Sequence, residues 1–255
     1  MAVHEVADEG FGRGAETYER ARPSYPPDAV AWLADNLRLA PGRVVLDLAA
    51  GTGKFTRLLV PTGAVVLAAE PVVGMRRSFA AAVPGVPMIG AVAEALPIGR
   101  GSLDALTAAQ AFHWFDADRA FDEFTRVLRP HGRVGLIWNA RDRSSDWVNE
   151  VWSIMDRVEK RAPWRDHENW RDSALGERPG FGPMNNATFR HEQPITPDGV
   201  VERVASVSHV VVLPAEERER ILDEVRAVLA GHRETQGRTE LRIPYRVDVY
   251  WCERR

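Results

Sequence analysis

The stretch "DLAAGTGKFT", Asp47 to Thr56, decides how this chain is to be read. It follows the apolar run "VVL" at 44–46, and its glycines mark a loop whose backbone can approach a ligand closely. Two nucleotide loops can be tested against it letter by letter. A phosphate loop of the form G-x-x-x-x-G-K-[ST] places a lysine and then a hydroxyl on phosphates and Mg²⁺. Aligned on Gly53 and Lys54, its first glycine falls on Leu48 and its hydroxyl on Phe55, so ATP or GTP hydrolysis is set aside. The dinucleotide fingerprint G-x-G-x-x-G uses its third glycine for close helix–strand packing. Gly51 and Gly53 satisfy it, and Thr56 does not.

A third form fits better. The loop resembles motif I of the class I S-adenosylmethionine-dependent methyltransferases, D-x-G-x-G-x-G, which stands here as Asp47, Ala49, Gly51 and Gly53. Ala49 replaces the first glycine, and its small side chain makes the replacement tolerable. S-adenosylmethionine has no phosphates, so the resemblance gives Lys54 no phosphate to hold.

Outward from the loop, strand-like and helix-like segments alternate, which argues for βαβ units around a parallel sheet. "PPDAVAWLADNLRL" reads as a helix with proline at its start. "RVVLDL" is the first buried strand, and a helix opens over 53–60. "AVVLAAE", "VPMIGAV", "LDALTAAQ" and "RVGLIWN" are four more strands. "GMRRSFAAA" and "DADRAFDEFTRVL" are helices between them, the second with Asp116 as its N-cap. Residues 141–185 break the rhythm: "DWVNEVWSIMDRV" has a helical apolar period, and "RPGFGPMNN" is a loop. Then follow a strand at 187–194, helices near 198–207 and 215–230, and a last strand, "LRIPYRVDVYW". Pro244 inside it predicts a bulge or a sheet edge.

This pattern gives an α/β fold. It is similar to the seven-stranded, Rossmann-like methyltransferase sheet, which implies a last strand running antiparallel and helices on both faces. The expected organisation is a single domain over 1–255. Residues 15–140 form the cofactor-binding core, 141–185 a helical cap inserted after strand five, and 186–255 complete the sheet.

Bulk properties narrow the function classes. The chain has 255 residues, 45% hydrophobic and 27% charged, with formal net charge −3. Such a balance makes no global electrostatic case for nucleic acid or an anionic membrane. One cysteine, Cys252, precludes an internal disulfide and suits a reducing, cytoplasmic setting. The N-terminal residues lack an apolar signal core, and no run reaches the ~18 apolar residues of a membrane span. Metal-type Cys/His clusters are absent, so no metal is expected.

The remaining motifs fall at strand ends, where parallel sheets bind ligands. Glu70 closes the second strand and can accept hydrogen bonds from both ribose hydroxyls; it would repel the 2′-phosphate of NADP. "PVVGM" resembles the family's adenine-packing segment, with Pro71 and Met75 as candidates, although Met75 suits a core equally. "AVAEALP" resembles motif II, with Val92 in place of the family's Asp; the Ala93 backbone and Glu94 remain candidates, beside a plain turn. "AQAFHWFD" resembles a bacterial small-molecule branch, and the trans-aconitate methyltransferases carry a similar segment there. The resemblance implies Gln110 near the cofactor's methionine part and Trp114 as an aromatic wall near the sulfonium. His113 is then a general base or a wall residue. "YERARPSYP" resembles the same branch's N-terminal segment and nominates Tyr18 and Arg22, the latter for the methionine carboxylate.

The expected function is S-adenosylmethionine-dependent methylation of a small molecule by a monomer or homodimer. An NAD-dependent oxidoreductase and a cofactor-binding protein without methyl transfer stand as alternatives. The tryptophans of 141–185, Trp147, Trp152, Trp164 and Trp170, suit either an aromatic acceptor or the cap's own core.

Overall fold

The computed structural model describes residue 19, residues 21–159 and residues 176–255. Tyr18, Trp164 and Trp170 lie outside the described residues.

Helix α1 (Pro27–Asn36) opens with proline in its first turn and buries Ala29, Val30, Leu33 and Ala34. Strand β1 (Val44–Leu48) then enters the centre of the sheet. A short helix, α2 (Thr56–Leu59), tightens into a 3-10 turn at Val60–Thr62, because Pro61 has no N–H to continue it and Gly63 turns out at φ 77°. β2 (Val65–Ala69), α3 (Val73–Ala82), β3 (Met88–Ile89) and β4 (Leu103–Ala109) follow. β3 is only two residues long, much shorter than the run 86–92 implies. Helix α4 (Ala117–Val127) is capped by the Asp116 carboxylate, which accepts from the Arg119 N–H at 3.2 Å.

β5 (Leu128–Arg141) pairs with β4 through a register shift, so "RPHG" bulges with His131 at φ 63°. Beyond it lie α5 (Asp146–Glu159), β6 (Asn185–Ile195), α6 (Pro197–Ala205), α7 (Ser208–Val211), α8 (Ala215–Gly231) and β7 (Leu241–Glu253).

The seven strands form one sheet in the order β3-β2-β1-β4-β5-β7-β6. β1 to β5 pair in parallel, while β7 is antiparallel to both neighbours. β7 is therefore internal. Pro244 is tolerated because β5 has already ended, at Arg141 opposite Tyr245, leaving only β6 beside it.

Alternation along the strands feeds a core on each face. Leu46, Leu106 and Leu136 pack with α4, and Val45, Ala105 and Ile137 with α1 and α2. Cys252 is buried in the first of these cores, and burial pushes its thiol up to about 12, so it behaves as a small apolar filler. A third core joins α5, α6 and α8 to Leu241, Ile243 and Tyr245 of β7, and it contains Trp147 and Trp152. Those two tryptophans are core residues, which removes them from the case for an aromatic acceptor. No described helix is long and apolar enough to cross a membrane.

The winding reverses between β1 and β4, which both neighbour each other and lead to opposite halves of the sheet. At such a switch point the loops diverge and leave a crevice at the carboxyl ends.

Candidate active site

The loop after β1 turns through three left-handed residues: Ala49 (φ 47°), Gly51 (φ 59°) and Gly53 (φ 85°). The two glycines answer different demands. A Cβ on Gly51 would meet nothing within 4 Å, so that side of the loop is open. A Cβ on Gly53 would lie 2.3 Å from Val83 Cγ2 and 2.9 Å from Phe79 Cδ2. Gly53 thus provides the close packing against α3 that the dinucleotide fingerprint assigns to a later glycine.

Ala49 also needs correction. Its smallness is not the whole matter, because the position demands a left-handed backbone that costs an alanine ~1–2 kcal/mol. Ala49→Gly should relieve that strain. The added freedom of the unfolded glycine offsets part of the gain. A net stabilisation of up to about 1 kcal/mol is expected in a urea titration, and a loss of stability would contradict the strain.

Asp47 is buried beneath the loop. Its carboxylate oxygens accept the hydroxyls of Thr56 at 2.6 Å and Thr107 at 2.8 Å, tying the loop to β4. Burial pushes its carboxyl up to about 6, against the pull of the two threonine bonds, with a smaller push from Glu70. Glu70 is buried too, at 4% exposure. It accepts the N–H of Gly51 at 2.9 Å and of Val72 at 2.8 Å. Burial raises its pKa, and those backbone bonds oppose the rise. Glu70 is therefore a structural brace as well as a candidate ligand residue. A carboxylate has roughly four acceptor positions, so two bonds do not exhaust it.

At the end of β4, Gln110 is left-handed as well (φ 58°). Its N–H donates to the Ile137 carbonyl at 3.0 Å, and its side-chain amide to the Asn139 carbonyl at 3.2 Å. Two strained non-glycine residues at adjacent strand ends mark a site that the rest of the fold holds in place.

The N-terminal segment is fastened onto this loop. The Glu19 carboxylate accepts from Thr52 at 2.5 Å and pairs with Arg57. Lys54 Nζ donates to the carbonyls of Glu19 at 2.6 Å and Arg22 at 3.0 Å. Burial lowers the Lys54 pKa, and Glu19 opposes this. Lys54 thus holds a strap across the loop.

A cleft of about 540 Å³, counting its open mouth, runs along these strand ends. Five sequence candidates line it: Arg22, Asp47, Ala49, Gly51 and Gln110. Tyr25, Lys54, Asn139 and Arg203 line it as well. Asn139 closes the strand run "RVGLIWN", a position where the sequence places ligand residues, although β5 continues to Arg141. Nothing local marks Arg203, which arrives on α6 through tertiary packing.

The other candidates are placed differently. His113 and Trp114 sit in a 3-10 turn (Phe112–Trp114) beyond Gln110, with ring centroids 5.1 Å apart. Neither is among the described residues that line this cleft. Pro71 is half-buried and Met75 is buried on α3. Ala93 belongs to the core beside α4. Glu94 accepts the Asp116 N–H at 2.8 Å, so it braces the start of α4. Asp118 pairs with Arg178, and with Asp116 engaged as the cap these acids serve structure.

Sheet order, reversed last strand and a glycine loop at the switch point together define a Rossmann-like methyltransferase. A methyltransferase domain model matches residues 46–136. Over 235 residues the chain is 40% identical to an uncharacterized methyltransferase of Mycobacterium tuberculosis, covering 92% of this chain and 91% of the relative. An uncharacterized methyltransferase-like protein of Schizosaccharomyces pombe is 30% identical over 249 residues, with 96% and 95% covered. The chain belongs to the methyltransferase family. A solved structure assigned as a type II methyltransferase from Anaeromyxobacter dehalogenans superposes with TM-score 0.65 at 26% identity, covering 91% of this chain and 96% of that one. A phosphoethanolamine N-methyltransferase of Haemonchus contortus, in complex with phosphomonomethylethanolamine and S-adenosylhomocysteine, shares the fold at TM-score 0.56 and 13% identity, covering all of this chain and 60% of that one.

Proposed function

We propose that this methyltransferase uses S-adenosylmethionine and methylates a small molecule. The observation that carries the reading is the loop at Ala49, Gly51 and Gly53. Its backbone is forced left-handed, and its Gly51 side opens where a side chain would otherwise stand. Glu70 lies directly beneath, bonded to that same Gly51 N–H, with acceptor positions left for ribose hydroxyls. Bound there, S-adenosylmethionine supplies a methyl group already activated on a sulfonium. The chain's own residues hold the acceptor in line and keep water out.

In this reading Arg22, Asp47, Ala49, Gly51, Gly53, Glu70 and Gln110 form the cofactor side. Trp114 offers an aromatic face to a cation, and His113 is the candidate base. An NAD enzyme is disfavoured because Thr56, at the third-glycine position, is committed to Asp47.

Calorimetry decides between ligands. Binding of S-adenosylmethionine and S-adenosylhomocysteine is expected, without binding of ATP, NAD or NADP. Tight NAD binding with no S-adenosylmethionine signal would sink the proposal. Glu70→Ala should weaken cofactor binding by about 1–3 kcal/mol, through ribose hydroxyls left without an acceptor. It should also lower stability by ~2 kcal/mol, because the Gly51 and Val72 N–H groups lose their partner in a buried place. Unchanged cofactor affinity in a folded variant would remove Glu70 from the ribose site.

A further inference from the structure

We propose that the methyl acceptor is an anion, and that Arg203 receives its acidic oxygens. The inference rests on the function proposed above and names the substrate class of that site.

Arg203 is 6% exposed, yet it lines the cleft. Its Nε donates to the Tyr245 hydroxyl at 3.3 Å, and its guanidinium lies 5.5 Å from the Trp152 ring centroid. Its Nη1 is buried without a hydrogen-bond partner, and no described carboxylate pairs with it. A buried guanidinium lacking a counter-ion is strongly disfavoured, so it persists where a ligand compensates it.

The surroundings add positive charge. Arg22 lines the same cleft, with its Nη2 donating to the Ser206 carbonyl at 3.1 Å. His209, one turn beyond α6, feels Arg141, Arg22 and Arg203 together. Arg141 is matched by Asp156 at 3.1 Å, but Asp156 also serves Arg143 at 2.5 Å. Two more buried ring nitrogens close to Arg203 have no hydrogen-bond partner: His209 Nε2 and Nε1 of Trp152, the indole that faces its guanidinium. Unsatisfied buried groups are rare in folded chains, and here three belong to one neighbourhood.

Position separates this subsite from the cofactor's. Apart from Arg22, the cofactor side is built from the ends of β1, β2 and β4. Arg203 is instead held by Tyr245, which pairs with Arg141 at the carboxyl end of β5. Asn139, on the same strand, is the link between the two. Arginine suits the task because its charge persists at every working pH and its fork matches planar oxyanions.

The test uses the full-length protein loaded with S-adenosylhomocysteine. Benzoate and phenyl phosphate are titrated by calorimetry, with benzamide as the neutral match of benzoate. At least one anion should bind 10-fold or more tightly than benzamide. Arg203→Gln should lose that preference by 10-fold or more, keep S-adenosylhomocysteine affinity within about 2-fold, and be rescued in part by Arg203→Lys. Equal binding of benzamide and the anions, or no binding of either anion, would overturn the inference. So would an Arg203→Gln variant that loses S-adenosylhomocysteine to the same extent, since the arginine would then serve the cofactor's own carboxylate. The comparison among the three probes on the unaltered protein stands even if Arg203→Gln does not fold. Failure of S-adenosylhomocysteine to bind at all would instead defeat the cofactor assignment.

Discussion

Gly53→Ala should destabilise the protein by about 4 kcal/mol, the largest loss expected from any single methyl group in the loop. Two causes act together. The residue stands at φ 85°, where an L side chain is strained by ~1–2 kcal/mol. The new Cβ would also fall 2.3 Å from Val83 Cγ2 and 2.9 Å from Phe79 Cδ2. Neither neighbour yields easily. Val83 is β-branched and both are buried, so overpacking adds ~1–3 kcal/mol. For a chain of this size the melting temperature should fall by roughly 10 °C. Gly51→Ala is the control. Its Cβ meets nothing, so only the φ strain of ~1–2 kcal/mol applies to stability. The methyl would enter the open side of the loop, and S-adenosylhomocysteine affinity should drop at least 10-fold. The pair therefore separates packing from ligand space. Equal destabilisation with equal binding would show that the two glycines do the same job, contrary to the geometry.

Much of the sheet could be read from sequence because parallel strands buried on both faces are continuous apolar runs. "VVLDL" and "LDALTAA" are such runs, and they lie where expected. Local chemistry was equally legible: Asp116 caps α4, and proline opens α1. What sequence concealed depends on partners far along the chain. Glu70 reads as a strand-end acid, but the loop it braces makes it buried. Glu94 reads as a motif residue, but it bonds the N–H of Asp116 on another segment. Lys54 is freed from phosphate by the motif test, and only the fold reveals the strap at Glu19 and Arg22. Trp147 and Trp152 illustrate the other limit. Their helical spacing is the same for a ligand wall and for a core, and packing against α6, α8 and β7 makes them core. Arg203 shows it most clearly, since a single arginine on an amphipathic helix carries no signal of its own.

Between pH 4 and 6.5 the stability of the protein should be nearly flat, because two buried groups beside the cleft pull in opposite directions. Asp47 is raised from 3.8 to about 6, first by burial. Its native form holds a proton that the unfolded chain has lost, so its contribution is full below pH 3.8 and disappears as pH rises through 6. His209 is lowered from 6.5 to about 4, by burial and then by Arg141, Arg22 and Arg203. Its native form resists a proton that the unfolded chain takes up, so stability is full above pH 6.5 and is lost as pH falls towards 4. Each shift of two units or more corresponds to about 3 kcal/mol across its window. Glu70, raised by burial, strengthens the first arm, and His191, lowered by burial, strengthens the second. Single substitutions should expose each arm. His209→Gln leaves the Asp47 arm, so stability should fall by about 2 kcal/mol from pH 4.5 to 6.5. Asp47→Asn leaves the His209 arm, so stability should rise by about 2 kcal/mol over the same interval. Urea titrations at pH 4.5, 5.5 and 6.5 read the slopes, whatever constant offset each substitution brings. If both variants keep the flat profile of the parent, neither group is perturbed as its surroundings require. The neutrality of His209 also bears on the cleft. A protonated imidazole there would add a fourth cation beside three arginines, and burial together with those arginines keeps the imidazole neutral down to about pH 4.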